Sequence, residues 1–240
     1  MNRSPRLAPS ATLEDLLDQR PDLWRGRTVR RTSPTGMSTG FAALDAELSW
    51  CGWPPGGLCE LLGDGPGDGF GLVLPALARL GDHARWLLLV DPPWLPFAPA
   101  LAARGLTLER LVVVSAGERR AWAAEQCLRS RACAAVLVWG GRWDTAALRR
   151  LQLAAETGGA LVFLFRDSAS ARHPSPAPLR LQVGAGVAPG ENGYRVKVLK
   201  QRGGPAGALL SLPREVQDSP WERSPAAKVC GTSAAAFAAA

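Results

Sequence analysis

The chain has 240 residues, of which 47% are hydrophobic, and its formal net charge is +7. That apolar content is enough for the core of one large domain, while no apolar run approaches the roughly 18–20 residues that a membrane helix needs. The first residues lack the apolar stretch of a secretory signal, so we expect a cytoplasmic protein.

The positive charge comes almost entirely from arginine, and two explanations for it stay open. A GC-rich coding sequence raises the arginine content without functional meaning, whereas a nucleic-acid partner selects for the charge itself. The five cysteines show no CxxC spacing, and His83 and His173 have no partner at ligand spacing. We therefore expect no metal site.

Residues 1–35 are predicted to form a separate N-terminal arm with one short helix, Leu13 to Gln19. The pair Leu23-Trp24 then precedes a basic run that begins with Arg25. We consider two roles for this pair: docking on the body of the protein, which we favour, and contact with a partner.

The predicted core begins with a helix that Ser38 or Thr39 starts and that places Leu44 and Leu48 on one face. The chain then enters a short apolar strand, Leu58 to Leu62, followed by a glycine-rich turn and an apolar helix. This order is typical of a phosphate-binding loop, in which backbone N–H groups and a helix N-terminus face an anion.

The side chains that hold a phosphate are missing from this loop. The pattern GxxxxGK[ST] fails in every register, and counting from Gly63 places Asp68 at the second glycine. Asp64 adds negative charge where polyphosphate would lie. We interpret the loop as the remnant of a lost nucleotide site, kept as a turn; a backbone cradle for another anion is the alternative. The remnant consists of Gly63, Gly65, Gly67, Asp68, Gly69, Phe70 and Gly71.

Four apolar runs alternate with helical stretches after this loop. Such runs are typical of parallel strands that are covered on both faces, and the alternation predicts an α/β fold with a mostly parallel sheet between two layers of helices. Asp144 is expected to cap the third helix and Gly158 to follow its end. The strands are Trp86 to Val90, Leu111 to Val114, Val136 to Trp139 and Leu161 to Phe165; the helices are Pro96 to Arg104, Arg119 to Ser130 and Thr145 to Glu156.

The pattern changes after Arg166. The polar, proline-rich stretch Asp167 to Pro178 is predicted to be a mobile loop. Alternating residues then predict a C-terminal antiparallel hairpin of Leu179 to Val183 with Tyr194 to Leu199, and Leu209 to Leu212 is expected to add an edge strand.

The predicted core thus spans 36–212, and the remainder, 213–240, is polar and then alanine-rich. With no apolar periodicity, this tail is expected to be disordered alone.

A group of basic residues lies on and beside the second strand of the hairpin: Arg195, Lys197, Lys200 and Arg202. An edge strand protected by solvated charge is one interpretation. Contact with a phosphate backbone or with an acidic partner is the other.

Four tryptophans fall at predicted strand ends or in loops: Trp50, Trp53, Trp94 and Trp139. Exposed tryptophans would mark a partner interface. Buried ones would fill the vacated nucleotide cavity, and we slightly favour this second role.

The order of these pieces resembles the RecA recombinase core over residues 37 to 212. Ser38 to Asp45 is similar to the helix before the family's phosphate loop, and Gly56 to Gly63 to the strand that leads into it. Trp86 to Asp91 is similar to the next strand, and Arg195 to Lys200 to a late basic strand. The resemblance implies a RecA-like α/β fold with a degenerate phosphate loop.

More closely, the chain resembles the ImuA family, the RecA-like accessory proteins of bacterial mutagenesis cassettes. The order and spacing of several short strings carry this resemblance. They are Leu23 to Gly26, Ser38 to Asp45, Gly52 to Pro54 with Glu60 to Asp64, Leu74 to Ala78, and Arg195 to Gly204. The SulA-type division inhibitors also look RecA-like without a nucleotide site.

Four parts of the RecA family's ATPase site have no counterpart here. The phosphate-loop lysine is absent, and Trp139 stands where the acid that ends the metal-binding strand is expected. The water-activating glutamate falls near Pro93, and the glutamine that senses the γ-phosphate falls near Arg166. Because phosphoryl transfer needs a phosphate clamp, a metal and an oriented water, we expect no catalysis and no cofactor.

The ImuA resemblance implies a non-catalytic adaptor in DNA-damage-induced (SOS) translesion synthesis and mutagenesis. The implied partners are ImuB, which is a Y-family-like polymerase subunit, an error-prone C-family polymerase alpha subunit, and RecA or DNA. The alternatives are a SulA-type inhibitor that binds the division protein FtsZ, a weak DNA-binding protein, and an unorthodox NTPase.

Overall fold

The computed structural model describes residues 36–81, 85–185 and 193–214. The chain divides into two units, Met1–Arg30 and Arg31–Ala240, and every described residue belongs to the second. The predicted N-terminal arm, with Trp24 and Arg25, lies outside the described residues, as does the predicted tail from residue 215 onward.

The described strands form one sheet in the order β3-β2-β4-β5-β1-β6-β7-β8. The strands from β3 to β6 in this order pair in parallel, whereas β6, β7 and β8 pair antiparallel. The predicted parallel sheet and the C-terminal hairpin are confirmed. The strands are β1 Leu58–Gly63, β2 Trp86–Val90, β3 Leu111–Val114, β4 Cys133–Trp139, β5 Leu161–Asp167, β6 Leu179–Ala185, β7 Gly193–Gln201 and β8 Leu209–Pro213.

Helices cover both faces of the sheet. Alternate residues of a strand contribute to two separate apolar clusters: Leu87 belongs to the first and Leu88 to the second. The first cluster also contains residues of α1, α2 and α3, and the second contains residues of α4 and α5. The helices are α1 Ala42–Glu47, α2 Phe70–Gly81, α3 Ala98–Ala103, α4 Arg120–Arg129 and α5 Thr145–Gly158.

The helix ends follow from local side chains. The carboxylate of Asp144 accepts the N–H of Ala147 at 2.6 Å and begins α5. The helix ends at Gly158, two residues after the predicted end at Glu156, and Gly159, at φ +59°, caps it. Helix α1 begins at Ala42 and not at Ser38 or Thr39. The hydroxyl of Ser38 and the N–H of Thr39 both bond to the carboxylate of Asp45, so these two residues form a turn before the helix.

Two predictions about the strands and loops are wrong. Strand β3 is an edge strand, so Val112 and Val113 are exposed instead of buried on both faces. The stretch predicted as a mobile loop contains a 3-10 helix, Ser168–Arg172, and Arg180 donates to the carbonyls of Ser170 and His173 within it. None of the described helices combines the length and the apolarity needed to cross a membrane.

Candidate functional site

A cleft of about 410 Å3 opens at the carboxyl ends of β1, β2, β4 and β5. These strands are parallel, so their carboxyl ends meet at one edge of the sheet, which is where open α/β sheets bind ligands. The glycine-rich loop after β1 forms one wall of the cleft, with Asp64 and Asp68 among its lining residues. The cleft therefore corresponds to the predicted remnant of a nucleotide site.

The loop after β1 is closed by its own carboxylate. Oδ2 of Asp68 accepts the backbone N–H of Asp64 at 3.0 Å and that of Gly65 at 2.8 Å. A side chain on Gly63 would collide with that of Asp68, so the carboxylate fits closely against the loop. Backbone N–H groups that would face a phosphate thus bind an internal anion.

Three aromatic rings fill the space where the loop meets β4 and β5. The rings of Trp139 and Phe165 stack with their centroids 4.6 Å apart, and Phe70 packs edge-on against Trp139 at 5.7 Å. Trp139 is only 5% exposed. An indole ring therefore ends β4 where the RecA resemblance leads us to expect a metal-binding acid.

Of the four tryptophans considered above, Trp139 fills the cleft as predicted and Trp94 is exposed, whereas Trp50 and Trp53 take neither role. Trp139 lines the cleft and is buried, whereas Trp94 is 62% exposed and lies against Gly67 of the loop. Trp53 is buried in the core, edge-on to Phe163, and not in the cleft. Trp50 is partly buried.

Arg166, near which the RecA resemblance places the γ-phosphate sensor, belongs to a buried ion cluster. Glu60, which is fully buried in the middle of β1, accepts from Arg166 at 3.0 Å and from Arg180 at 2.6 Å. The hydroxyl of Ser175 donates to the same carboxylate at 2.8 Å. Sequence reasoning missed Glu60 and Arg180, although an acid inside an apolar strand was a visible signal that a charged partner lay nearby.

A second ion pair lies at the end of β2. Asp91 has a left-handed backbone conformation, with φ at +49°, and its carboxylate accepts the N–H groups of Ala116 and Gly117. Arg120 donates its Nε to the same carboxylate at 3.1 Å. The two arginines that line the cleft, Arg120 and Arg166, are thus each paired with an acid.

The structure brings together only part of the predicted basic group. Arg195 and Lys197 are exposed on one face of β7. Because β7 pairs with both β6 and β8, the interpretation of this group as a charged edge strand is wrong. Lys200 is partly buried and donates to the carbonyl of Ser175 at 2.7 Å, and burial lowers the pKa of its ammonium group. Arg202 is exposed and lies 4.0 Å from Glu156. The two basic residues that remain freely accessible as a pair are Arg195 and Lys197.

No family model matches the chain. It is 32% identical to the cell division inhibitor SulA of Photorhabdus laumondii subsp. laumondii over 111 residues, which cover 45% of this chain and 63% of that relative. The chain therefore spans less than two thirds of the length of SulA. The matched region is also less than half of the present chain.

Two solved structures extend the comparison. The crystal structure of SulA from Pseudomonas aeruginosa matches at 28% identity and a TM-score of 0.38, over 45% of this chain and 96% of that one. The RadB recombinase matches at 18% identity and a TM-score of 0.55, over 72% of this chain and 94% of that one. The similarity to RadB confirms the RecA-like fold. The sequence similarity to SulA is weak, and the ImuA resemblance stays a prediction.

Proposed function

We propose that this chain is a non-catalytic, RecA-like adaptor of the ImuA type, which acts in DNA-damage-induced translesion synthesis. One observation carries the proposal: the phosphate loop bonds to the carboxylate of its own Asp68. A RecA-like protein with a loop that is closed in this way retains the surfaces of the fold for binding partners but does not turn over nucleotides.

Electrostatics supports the absence of nucleotide chemistry. A triphosphate in this cleft would meet the carboxylates of Asp64, Asp68 and Asp167, while Arg120 and Arg166 are already paired with acids. Like charges at close range in a partly desolvated site repel strongly. Within the described residues, no group of three or more His, Cys, Asp or Glu side chains is placed to hold a metal ion.

The proposed partners follow from the ImuA resemblance. They are an ImuB-type polymerase subunit, an error-prone C-family polymerase alpha subunit, and RecA or DNA. The exposed pair Arg195 and Lys197 offers one contact surface. Two exposed basic side chains on one face of a strand suit an acidic protein segment or a phosphate backbone.

Nucleotide assays, a binding assay and a gene deletion test the proposal together. The purified chain should show neither a thermal shift nor turnover with ATP and Mg²⁺, and it should bind the ImuB-type subunit of the same organism in solution. Deletion of its gene should lower the frequency of damage-induced mutations. Clear ATP hydrolysis would overturn the non-catalytic part of the proposal, and an unchanged mutation frequency would overturn the translesion part.

The second candidate is a division inhibitor of the SulA type, which the 32% identity to SulA favours. In that case the purified chain should suppress the polymerisation and GTPase activity of FtsZ, and its overproduction should produce filamentous cells at an unchanged mutation frequency. The adaptor proposal expects the opposite pair of results.

Direct DNA binding is a third and narrower possibility, and it depends on Arg195 and Lys197. Its affinity should fall steeply with salt, because cationic side chains release counterions from the phosphates they contact. The double variant Arg195→Ala/Lys197→Ala should reduce both the affinity and the salt dependence. A flat salt response of the wild-type protein would rule this contact out.

A further inference from the structure

The cleft has more acidic charge than its basic residues neutralise. Asp91 is paired with Arg120, and Arg166 with Glu60. Asp64, Asp68 and Asp167 also line the cleft, and in the described part of the chain no salt bridge joins any of them to a basic side chain. An acidic cleft in a chain of net charge +7 attracts a cationic group.

Two of these acids are placed to meet a ligand at the rim. Asp64 and Asp167 are both exposed, and they lie at the ends of adjacent strands, because Gly63 of β1 is in register with Asp167 of β5. Hydrogen bonds from Ser170 are the main cause that lowers the pKa of Asp167, so this carboxylate is ionised at neutral pH.

An exposed apolar patch adjoins the cleft. Trp94, Leu95 and Phe97 are 62%, 90% and 70% exposed. The patch belongs to the segment that follows β2, and the ring of Trp94 lies against Gly67 of the glycine-rich loop, where a side chain would collide with it. Three large apolar side chains exposed beside a cleft, two of them aromatic, are typical of a protein-binding surface.

We propose that the cleft and the adjoining patch bind a basic, apolar peptide segment of a protein partner. An arginine or lysine side chain enters the cleft between Asp64 and Asp167. Apolar neighbours in the segment pack on Trp94 and Leu95. The inference rests on the proposed adaptor function, and it assigns the partner contact to the former nucleotide site instead of the basic strand.

The test measures the affinity of the ImuB-type subunit for a set of variants by isothermal titration calorimetry. Asp64→Asn with Asp167→Asn removes two charges, and asparagine keeps an oxygen that can accept from Ser170. Leu95→Ser removes the most exposed apolar side chain of the patch. Two control variants match these changes: Glu109→Gln with Glu118→Gln removes two exposed charges outside the cleft lining, and Leu153→Ser removes a leucine that is 61% exposed on α5.

We expect each cleft or patch variant to bind at least about tenfold more weakly than the wild type, with the controls unchanged and with thermal melting confirming that every variant is folded. Equal affinities for wild type and variants would overturn the inference and leave the adaptor function intact. A wild-type protein that does not bind the subunit would overturn the proposed function, and the inference with it.

Discussion

Replacement of Glu60 by glutamine tests whether the buried ion cluster holds the sheet together beneath the cleft. The carboxylate joins three parts of the chain that are far apart in sequence: β1, Arg166 of β5, and Arg180 of β6, with Ser175 as a further donor. Glutamine has nearly the same shape but carries no charge. The variant therefore keeps the shape of the side chain, removes its charge and replaces one of its two acceptor oxygens by an NH2 donor.

The expected magnitude follows from burial. The side chain of Glu60 is fully buried, and those of Arg166 and Arg180 are each 8% exposed. Removing one partner of a buried pair leaves an uncompensated charge and costs about 3–5 kcal/mol. The glutamine oxygen still accepts one hydrogen bond, so we expect about 3 kcal/mol, which is a large part of the roughly 5–15 kcal/mol by which domains are stable.

Urea unfolding followed by circular dichroism gives the free energy of unfolding. The chain contains a control, because Glu125 also lies near two arginines, Arg129 at 2.6 Å and Arg150 at 3.4 Å. The side chain of Glu125 is 13% exposed, but those of the two arginines are 61% and 55% exposed, so water solvates both arginines when the acid is removed. Ion pairs with such solvated partners contribute about 0–1 kcal/mol, so Glu125→Gln should cost less than 1 kcal/mol. If Glu60→Gln also costs less than 1 kcal/mol, the reasoning from burial is refuted.

Three further predictions concern the loop, the buried thiols and the acid end of the pH range. Asp68→Ala should lower stability by about 1–2 kcal/mol, because it removes two charged but half-exposed hydrogen bonds, and melting with and without ATP should show no gain of nucleotide binding. Burial raises the pKa of Cys133 to about 11 and raises that of Cys59 further, so both should resist iodoacetamide at pH 8 until urea unfolds the chain, as mass spectrometry would show. Hydrogen bonds from Ser170 lower the pKa of Asp167 below its ordinary 3.8. The stability that this carboxylate contributes should therefore be present above pH 3.8 and lost as the pH falls through the lowered pKa. Equal acid melting curves for Asp167→Asn and the wild type would contradict this.

The sheet was predictable because most of its parallel strands are continuous apolar runs in the sequence. Strand β4 shows this most clearly: all seven residues of Cys133–Trp139 are buried, as expected for a strand with neighbours on both sides and helices on both faces. The same rule failed for β3. An apolar run indicates a strand, but it does not indicate whether that strand lies in the middle or at the edge of a sheet.

The location of the candidate site in the chain could be predicted from the sequence, but the contacts between its side chains could not. The glycine-rich stretch identified the loop, while the loss of nucleotide chemistry, which the missing lysine predicts, stays a prediction. The role of Asp68 was not visible, because the sequence shows only that an acid interrupts the pattern. Glu60 and Arg180 are 120 residues apart, and no local periodicity links two positions at that separation.

The closed loop has a consequence for how such a protein is controlled. In nucleotide-dependent switches, contacts to the γ-phosphate order one conformation and hydrolysis releases it. Here the anion is a side chain of the loop itself, so it is present at all times and cannot be hydrolysed or exchanged. We propose that these two hydrogen bonds keep the loop in one conformation. With the proposed adaptor function, the timing of the protein comes from how much of it is made or from its partners, because the carboxylate of Asp68 already binds the N–H groups that would face a phosphate.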